Sequence, residues 1–237
     1  MTAAAGSNIG LRKDNEDRYY VNEDKKIFMI ADGMGGHEHG QLASKLAVST
    51  LAEHILQMEQ PLSLANLEEI FKQVNTAVYE LQQQLADGII GTTLTAAIVQ
   101  DEQIYIGHVG DSRLYRVRNN VLEQLTMDHT YYAEMLRLGQ LDETQTEVKR
   151  NVLLKALGPE ENIEGQYLQV EVLPDDLLLL FTDGLYNMLT EEEIMNKIST
   201  EDNLEVCVEQ LLQMALERGA SDNLTVVLYR HEGEVRP

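Results

Sequence analysis

Four aspartates stand where strongly apolar runs begin or end. Ile27–Ala31 leads into Asp32-Gly33, Ile104–Val109 into Gly110-Asp111, and Leu177–Phe181 into Thr182-Asp183-Gly184. Asp222-Asn223 leads straight into Leu224–Tyr229. Each alone is ordinary turn chemistry, because Asp-Gly and Asp-Asn both suit tight reversals. The repetition points further. If the apolar runs are neighbouring strands in packed sheets, these aspartates gather at one end of the molecule. Ionised carboxylates converge at close range only when cations neutralise them. Oxygen-only donors select Mg²⁺, Mn²⁺ or Ca²⁺ over Zn²⁺. Gly33 lets the backbone approach closely, so its carbonyl is a further candidate ligand. Two such ions ~3.5–4 Å apart suit in-line displacement at phosphorus. In Arg12-Lys13-Asp14-Asn15-Glu16-Asp17, Arg12 by itself reads as part of a surface charge cluster. Beside a carboxylate–metal site its planar fork becomes a phosphate clamp.

Other chemical readings fail on spacing. Gly33, Gly35 and Gly36 do not form a dinucleotide fingerprint, because Glu38 stands where the third glycine belongs, and no Gly-Lys-Ser/Thr follows to make a P-loop. His37-Glu38-His39 is not the helical His-Glu-x-x-His zinc motif, since residues two apart do not share a helix face. Asp14–Asp17 lacks the glycine and distal glutamate of a calcium-binding loop.

The whole chain sets the context. Its 237 residues carry 40 Asp and Glu against 18 Lys and Arg, for a formal net charge of −22. That balance excludes a phosphate-backbone binder of nucleic acid and a polybasic membrane-surface protein. Hydrophobic residues make up 43%, enough for a core, so most of the acids are expected on a solvated surface. The single cysteine, Cys207, excludes an intramolecular disulfide and fits a reducing compartment. Its apolar neighbours Val206 and Val208 favour a buried, inert thiol. No run reaches the ~18 apolar residues of a membrane span, and Met1–Gly6 does not read as a signal peptide. A cytoplasmic protein is expected.

The elements that would position the aspartates follow from periodicity. Arg18–Val21, Lys26–Ala31, Gly91–Val99, Gln103–Val109, Leu114–Arg118 and Val121–Leu125 read as strands, the last two joined by a two-residue Asn119-Asn120 turn. Gln41–Met58 reads as a helix. Leu67, Ile70, Phe71, Val74, Val78, Leu81 and Leu85 form the apolar stripe of a second. A short helical pattern at Tyr132–Leu138 opens an irregular stretch over 131–165, which has too few apolar residues for its own core. Strands at Tyr167–Val172, Leu177–Phe181 and Leu224–Tyr229 follow, with helices at Glu191–Ile198 and Leu204–Glu217. Strands in antiparallel-looking runs and helices in pairs predict an α+β fold, two packed sheets with helices outside, in a single domain over 1–237.

Taken in order, the motifs resemble a known family. They are Arg12-x-x-Asn15-Glu16-Asp17, Ala31-Asp32-Gly33-Met34-Gly35-Gly36-His37, Gly40-x-x-Ala43-Ser44, Gly91-Thr92-Thr93, His108-Val109-Gly110-Asp111-Ser112-Arg113, Thr126-x-Asp128-His129, Ala156-Leu157-Gly158, Thr182-Asp183-Gly184-Leu185 and Asp222-Asn223-Leu224-Thr225. The chain is similar to the bacterial metal-dependent protein phosphatases of the PPM type, relatives of the eukaryotic type 2C Ser/Thr phosphatases. Each motif is short, but the ordered set spans 12–225.

The resemblance implies a central β-sandwich of two antiparallel sheets flanked by helix pairs (α-β-β-α), with a flap at about 131–165 bordering the active site. It implies Mn²⁺ or Mg²⁺, two ions in the core site and a third, weaker one. Asp32 would bridge two metals with the Gly33 carbonyl on one of them, and Asp183 and Asp222 would complete the first metal's protein ligands. Asp111 and Asp183 would hold the third ion. Asp17 would orient metal-bound water, with Glu16 assisting, and Arg12 would bind the substrate phosphate. A hydroxide between the metals would attack phosphoserine or phosphothreonine directly, with no phosphoenzyme. His37 would either protonate the leaving alkoxide or only brace its loop, since Met34 stands where eukaryotic relatives carry a histidine. Gln41-Leu42 replace acidic residues of many relatives, and the flap lacks the usual His-Pro before Arg150-Asn151-Val152-Leu153. The implied partners are phosphoprotein substrates of a Ser/Thr kinase, acted on by a monomer. Two alternatives stand beside it, a phosphoprotein-binding pseudophosphatase and a small-molecule phosphoesterase.

Overall fold

The computed structural model describes residues 2–36, 38–85, 88–141 and 152–233. The first half of the chain contains β1 (Ala3–Asn8), β2 (Asp17–Asn22), β3 (Ile27–Met34), α1 (Glu38–Gln57), α2 (Leu64–Leu85), β4 (Gly91–Thr92), β5 (Leu94–Gln100) and β6 (Gln103–Val109). It continues through β7 (Arg113–Arg118), β8 (Val121–Gln124), α3 (Tyr131–Arg137), β9 (Gln166–Glu171), β10 (Leu177–Phe181), α4 (Asp183–Tyr186), α5 (Glu191–Thr200), α6 (Leu204–Glu217) and β11 (Leu224–Arg230).

Two sheets form, one in the order β1-β11-β10-β7-β8 and one in the order β2-β3-β5-β6-β9, with β4 also pairing β3. The pairings are antiparallel. Strand periodicity builds the layers, because successive side chains point to opposite faces. In β3, Ile27, Met29 and Ala31 pack under α1 and α2, while Phe28 and Ile30 face the other sheet. In β10, Leu177, Leu179 and Phe181 pack under α5 and α6, while Leu178 and Leu180 meet the first sheet. Three apolar layers therefore separate four layers of structure, helix–sheet–sheet–helix. Strands buried on both faces read as unbroken apolar runs, which is why β3 and β10 were so plain in the sequence.

Most expected elements occupy their expected places, with ends moved by a few residues. Asn119 and Asn120 both have positive φ, 51° and 62°, as the two-residue turn between β7 and β8 requires. Three features differ. The expected strand Gly91–Val99 is broken at Thr93, whose Oγ1 accepts from Asp32 N at 2.9 Å and whose own N–H donates to Asp32 O at 2.8 Å. β1 was not expected, because Ala-Ala-Ala-Gly-Ser-Asn has no apolar alternation. Its small residues answer to packing: a Cβ on Gly6 would lie 2.8 Å from Leu212 and Val208 of α6. The one-turn helix α4 was also unforeseen, being too short for a periodic pattern. Cys207 is buried and its thiol is pushed up to about 11 by burial, so it is the inert core residue expected. No helix among the described residues is long and apolar enough to cross a membrane.

Candidate metal centre

Antiparallel pairing brings the aspartate-bearing strand ends together. Asp17 opens β2 directly opposite Asp32 in β3. Asp111 follows the end of β6, Asp183 follows β10 as the first residue of α4, and Asp222 precedes β11. A cleft of ≈ 740 Å³ opens at this end of the sandwich, and Arg12, Asp32, Gly33, Asp111, Asp183 and Asp222 all line it. Of the residues expected from the sequence, Asp17 lies beneath this lining and His37 lies outside the described residues.

Close backbone approach explains the glycines of the Asp32 loop. A Cβ on Gly33 would overlap Gly40 O at the start of α1, and one on Gly40 would overlap the Glu16 carboxylate. Gly33 N–H also donates to Glu16 O at 3.2 Å. The loop, the first turn of α1 and the 12–17 segment are thus pressed together, which places Glu16 on the cleft wall.

The electrostatics are those of an acidic site short of positive charge. Asp32 is raised well above the usual carboxylate range by burial and then by Asp17, Asp183, Asp111 and Asp222. Asp183 is pushed up to about 6 by burial and by Asp222, although it hydrogen-bonds Asp32 and Asn187. Asp111 is pushed up to about 7 by burial and by Asp183 and Asp128. Asp17 also reaches about 7, again through burial first, against the opposing pull of its hydrogen bonds. Those bonds come from Thr182 Oγ1 at 2.8 Å and Thr225 Oγ1 at 2.7 Å, both to Oδ2. Asp17 Oδ1 is buried with no hydrogen-bond partner.

Arg12 donates to Asp222 Oδ2 at 2.7 Å, and this bond is the chief reason the guanidinium holds its proton more tightly than usual. The two residues expected to touch phosphate and metal are therefore paired with each other. Among the described residues no three acidic, histidine or cysteine side chains are closed on one point as a metal cage. The donor chemistry nonetheless fits a hard divalent cation. Several carboxylates face one cleft, each raising the others' affinity for protons, and a buried oxygen stands unpartnered behind them.

A supporting layer was not anticipated from the sequence. Asn223 accepts from Glu16 N at 2.8 Å and donates to Ile9 O and Asp14 O at 2.9 and 3.0 Å, tying the Arg12 loop to the Asp222 turn. Behind Asp111, Arg113 forks onto Asp128 with contacts of 2.7–3.0 Å and stacks 3.8 Å above the Tyr186 ring. His108 and His129 lie in contact, ring centroids 4.8 Å apart, and His129 Nδ1 accepts from Gly110 N beside Asp111. All of these side chains but Tyr186 stand in the motifs that carry the family resemblance, and Tyr186 adjoins one, but no supporting role was assigned to them from the sequence.

Comparison with known proteins gives the family. Residues 7–229 match the family model described as protein phosphatase 2C. The chain is 36% identical over 232 residues to a serine/threonine phosphatase stp of Listeria welshimeri, covering 92% of this chain and 90% of that one. The crystal structure of the Mycobacterium tuberculosis serine/threonine phosphatase PstP/Ppp superposes with a TM-score of 0.90 at 31% identity, covering 98% of both chains. The catalytic domain of a serine/threonine phosphatase PstP in complex with two manganese ions gives a TM-score of 0.87 at 30% identity over 96% of each chain. On its motifs, its α-β-β-α layers, its acidic cleft and these likenesses together, the chain belongs to the protein phosphatase 2C family as a bacterial-type serine/threonine phosphatase.

Proposed function

We propose that this protein hydrolyses phosphoserine and phosphothreonine in protein substrates at the acidic cleft, using Mn²⁺ or Mg²⁺. The observation that carries the reading is the lining itself: Asp32, Asp111, Asp183 and Asp222 face one cleft, with Arg12 the single arginine among the described lining residues. The manganese-bound PstP neighbour supports the choice of metal. Asp32, the Gly33 carbonyl, Asp183 and Asp222 would hold two ions, and Asp111 with Asp183 a third, weaker one. When bound, such ions supply Lewis acidity, activating water as the nucleophile and neutralising charge on the phosphoryl oxygens.

The chain's own residues do the rest. Asp17, fixed through Oδ2 by two threonines, keeps Oδ1 available to take a hydrogen bond from the attacking water. Arg12 exchanges its single hydrogen bond to Asp222 for the substrate phosphate, whose oxygens the guanidinium fork matches. Glu16 stands beside it on the wall. Direct attack by water needs no phosphoenzyme. Among the described lining residues there is no cysteine or histidine. The one hydroxyl, Thr93, is already bonded to Asp32 N and Ser112. His37, next in the chain to the lining residue Gly36, is the candidate to protonate the leaving alkoxide. The segment 131–165 serves as the flap of one catalytic domain. Phosphoproteins of a Ser/Thr kinase, a cytoplasmic setting and a monomer complete the proposal.

The test is hydrolysis of p-nitrophenyl phosphate and of a phosphothreonine peptide, each with Mn²⁺ and then with chelator. Both reactions are expected to require the metal, and Asp32→Ala is expected to abolish them. Activity of that variant within about tenfold of wild type would refute the assigned site, since losing a core electrostatic group costs at least about 100-fold. Turnover of the small ester alone would point to a small-molecule phosphoesterase. Phosphopeptide binding without turnover would point to a pseudophosphatase.

A further inference from the structure

The acidic cleft does not end at the carboxylates. A second cleft of ≈ 620 Å³ opens beside it, and Met34 and Leu153 line both. Its own walls add Ile89, Leu154, Ala156 and Pro159. Two of these are large apolar side chains left in water, Ile89 at 69% and Leu154 at 50% exposure. In the lining of the main cleft, Leu11 adjoins Arg12 and is 76% exposed. The phosphoryl site therefore has a charged floor and apolar rims. Apolar side chains clustered in the open around a polar site mark a surface that is covered when a partner binds.

The walls are preformed. Thr92 and Leu157 exchange backbone hydrogen bonds of 3.0 and 2.9 Å, fixing the strand after Ile89 to the segment that carries Pro159. On the other side Leu154 N donates to His129 O at 2.7 Å, and Tyr131 N to Val152 O at 2.8 Å. A cleft held on both sides by paired backbone costs little further ordering on binding.

We infer that the second cleft receives an aliphatic side chain flanking the phosphorylated residue of the substrate chain, with Ile89 and Leu154 as specificity-determining residues. The inference rests on the phosphoprotein phosphatase reading above and names its substrate class more closely. Continuity carries it. A side chain leaving the phosphoresidue along Met34 and Leu153 passes from the carboxylates directly into an apolar space, whereas a small phosphate ester bound at the carboxylates leaves that space empty. Acidic flanking residues meet Glu160 and Glu164 of the same cleft, where the one lysine among the described lining residues, Lys155, is already paired with Glu164 at 3.9 Å.

The experiment compares phosphothreonine peptides that carry Leu or Ser immediately before or immediately after the phosphoresidue. The wild-type enzyme with Mn²⁺ is expected to favour Leu at one of these positions by about tenfold in kcat/KM, the usual scale for an apolar pocket gaining a few methylenes. Replacing both rim residues, Ile89→Ser with Leu154→Ser, is expected to erase that preference and leave p-nitrophenyl phosphate hydrolysis within about twofold of wild type. Equal rates for all peptides, or a preference that survives the double variant, would overturn the inference. Should the double variant lose small-ester activity, the wild-type preference and the single variants decide instead. Absence of metal-dependent turnover on every substrate would overturn the phosphatase reading itself, a result distinct from either.

Discussion

Asp17 and Asp32 are opposite one another in the sheet, yet their environments divide the work. Asp32 faces the cleft, whereas Asp17 spends one oxygen on two threonines and keeps the other bare. Asp32, Asp111, Asp183 and Asp222 were legible because each borders an apolar run, a contrast that sequence displays directly, whereas Asp17 came only through the family resemblance. Thr182, Thr225 and Asn223 stood in the family motifs, but their role was not legible, because a residue that satisfies a neighbour's backbone or carboxylate carries no chemistry of its own. Thr182 and Thr225 come from different strand ends and meet only because β10 and β11 pair. The same holds for His108, which sits fully buried in β6, bonded to Thr95 Oγ1 at 2.8 Å and to Met127 O at 3.2 Å. Burial and the His129 ring push His108 down to about 3, well below the 6.5 of a free imidazole. The folded state thus binds fewer protons than the unfolded chain between those values. Stability attached to this residue is complete above about pH 6.5 and is lost as pH falls towards 3. We expect the His108 ring resonances to stay at their neutral positions from pH 8 to about 5 in an NMR titration. A midpoint near 6 would show that the ring is hydrated and that its contacts to Thr95 and Met127 are not maintained.

Among the elements, those with a stripe or an apolar run were readable and those shaped by a neighbour were not. The stripe from Leu67 to Leu85 specified α2, and the unbroken apolar run specified β10. β1 consists of small residues chosen by the approach of α6, and the interruption at Thr93 is imposed by the Asp32 backbone, so neither could show in a local pattern. The acidic stretch 142–147 of the expected flap lies outside the described residues, but the returning leg is defined, and a polar side chain of α2 helps to hold it. Asn75 is 1% exposed, accepts from Gly158 N at 2.9 Å, and donates to Glu160 O and Glu161 O at 3.0 Å each. An asparagine inside an apolar helix stripe would ordinarily weaken the core, and here it serves three backbone groups of another segment. Asn75→Leu would leave those groups unpaired at a cost of about 1–3 kcal/mol for each one that stays buried. Denaturant unfolding is expected to show a loss of at least about 2 kcal/mol, with faster hydrogen exchange at the Leu157 and Gly158 amides. Exchange at those amides unchanged from wild type would mean that the Thr92–Leu157 bridge, not Asn75, anchors the leg.

For the molecule as a whole, the net charge of −22 conceals two populations of acids. Most are surface groups, screened by salt and individually replaceable. The few in the cleft share one poorly hydrated space and repel each other in the folded state, while in the unfolded chain they separate at no cost. Cations that bind the cleft therefore stabilise the fold by mass action, whereas general screening acts on the surface population alone. At a metal concentration about 100 times the dissociation constant, the gain is about 2.7 kcal/mol per site. That corresponds to a rise in Tm of roughly 5–10 °C for a chain of this size. The two populations separate experimentally. Millimolar Mn²⁺ is expected to produce this rise, sodium chloride at matched ionic strength is expected to produce little of it, and Asp32→Asn is expected to remove most of the manganese effect. If the sodium salt reproduces the shift, or Asp32→Asn retains it in full, the stabilisation comes from the acidic surface at large and the cleft holds no cation of consequence.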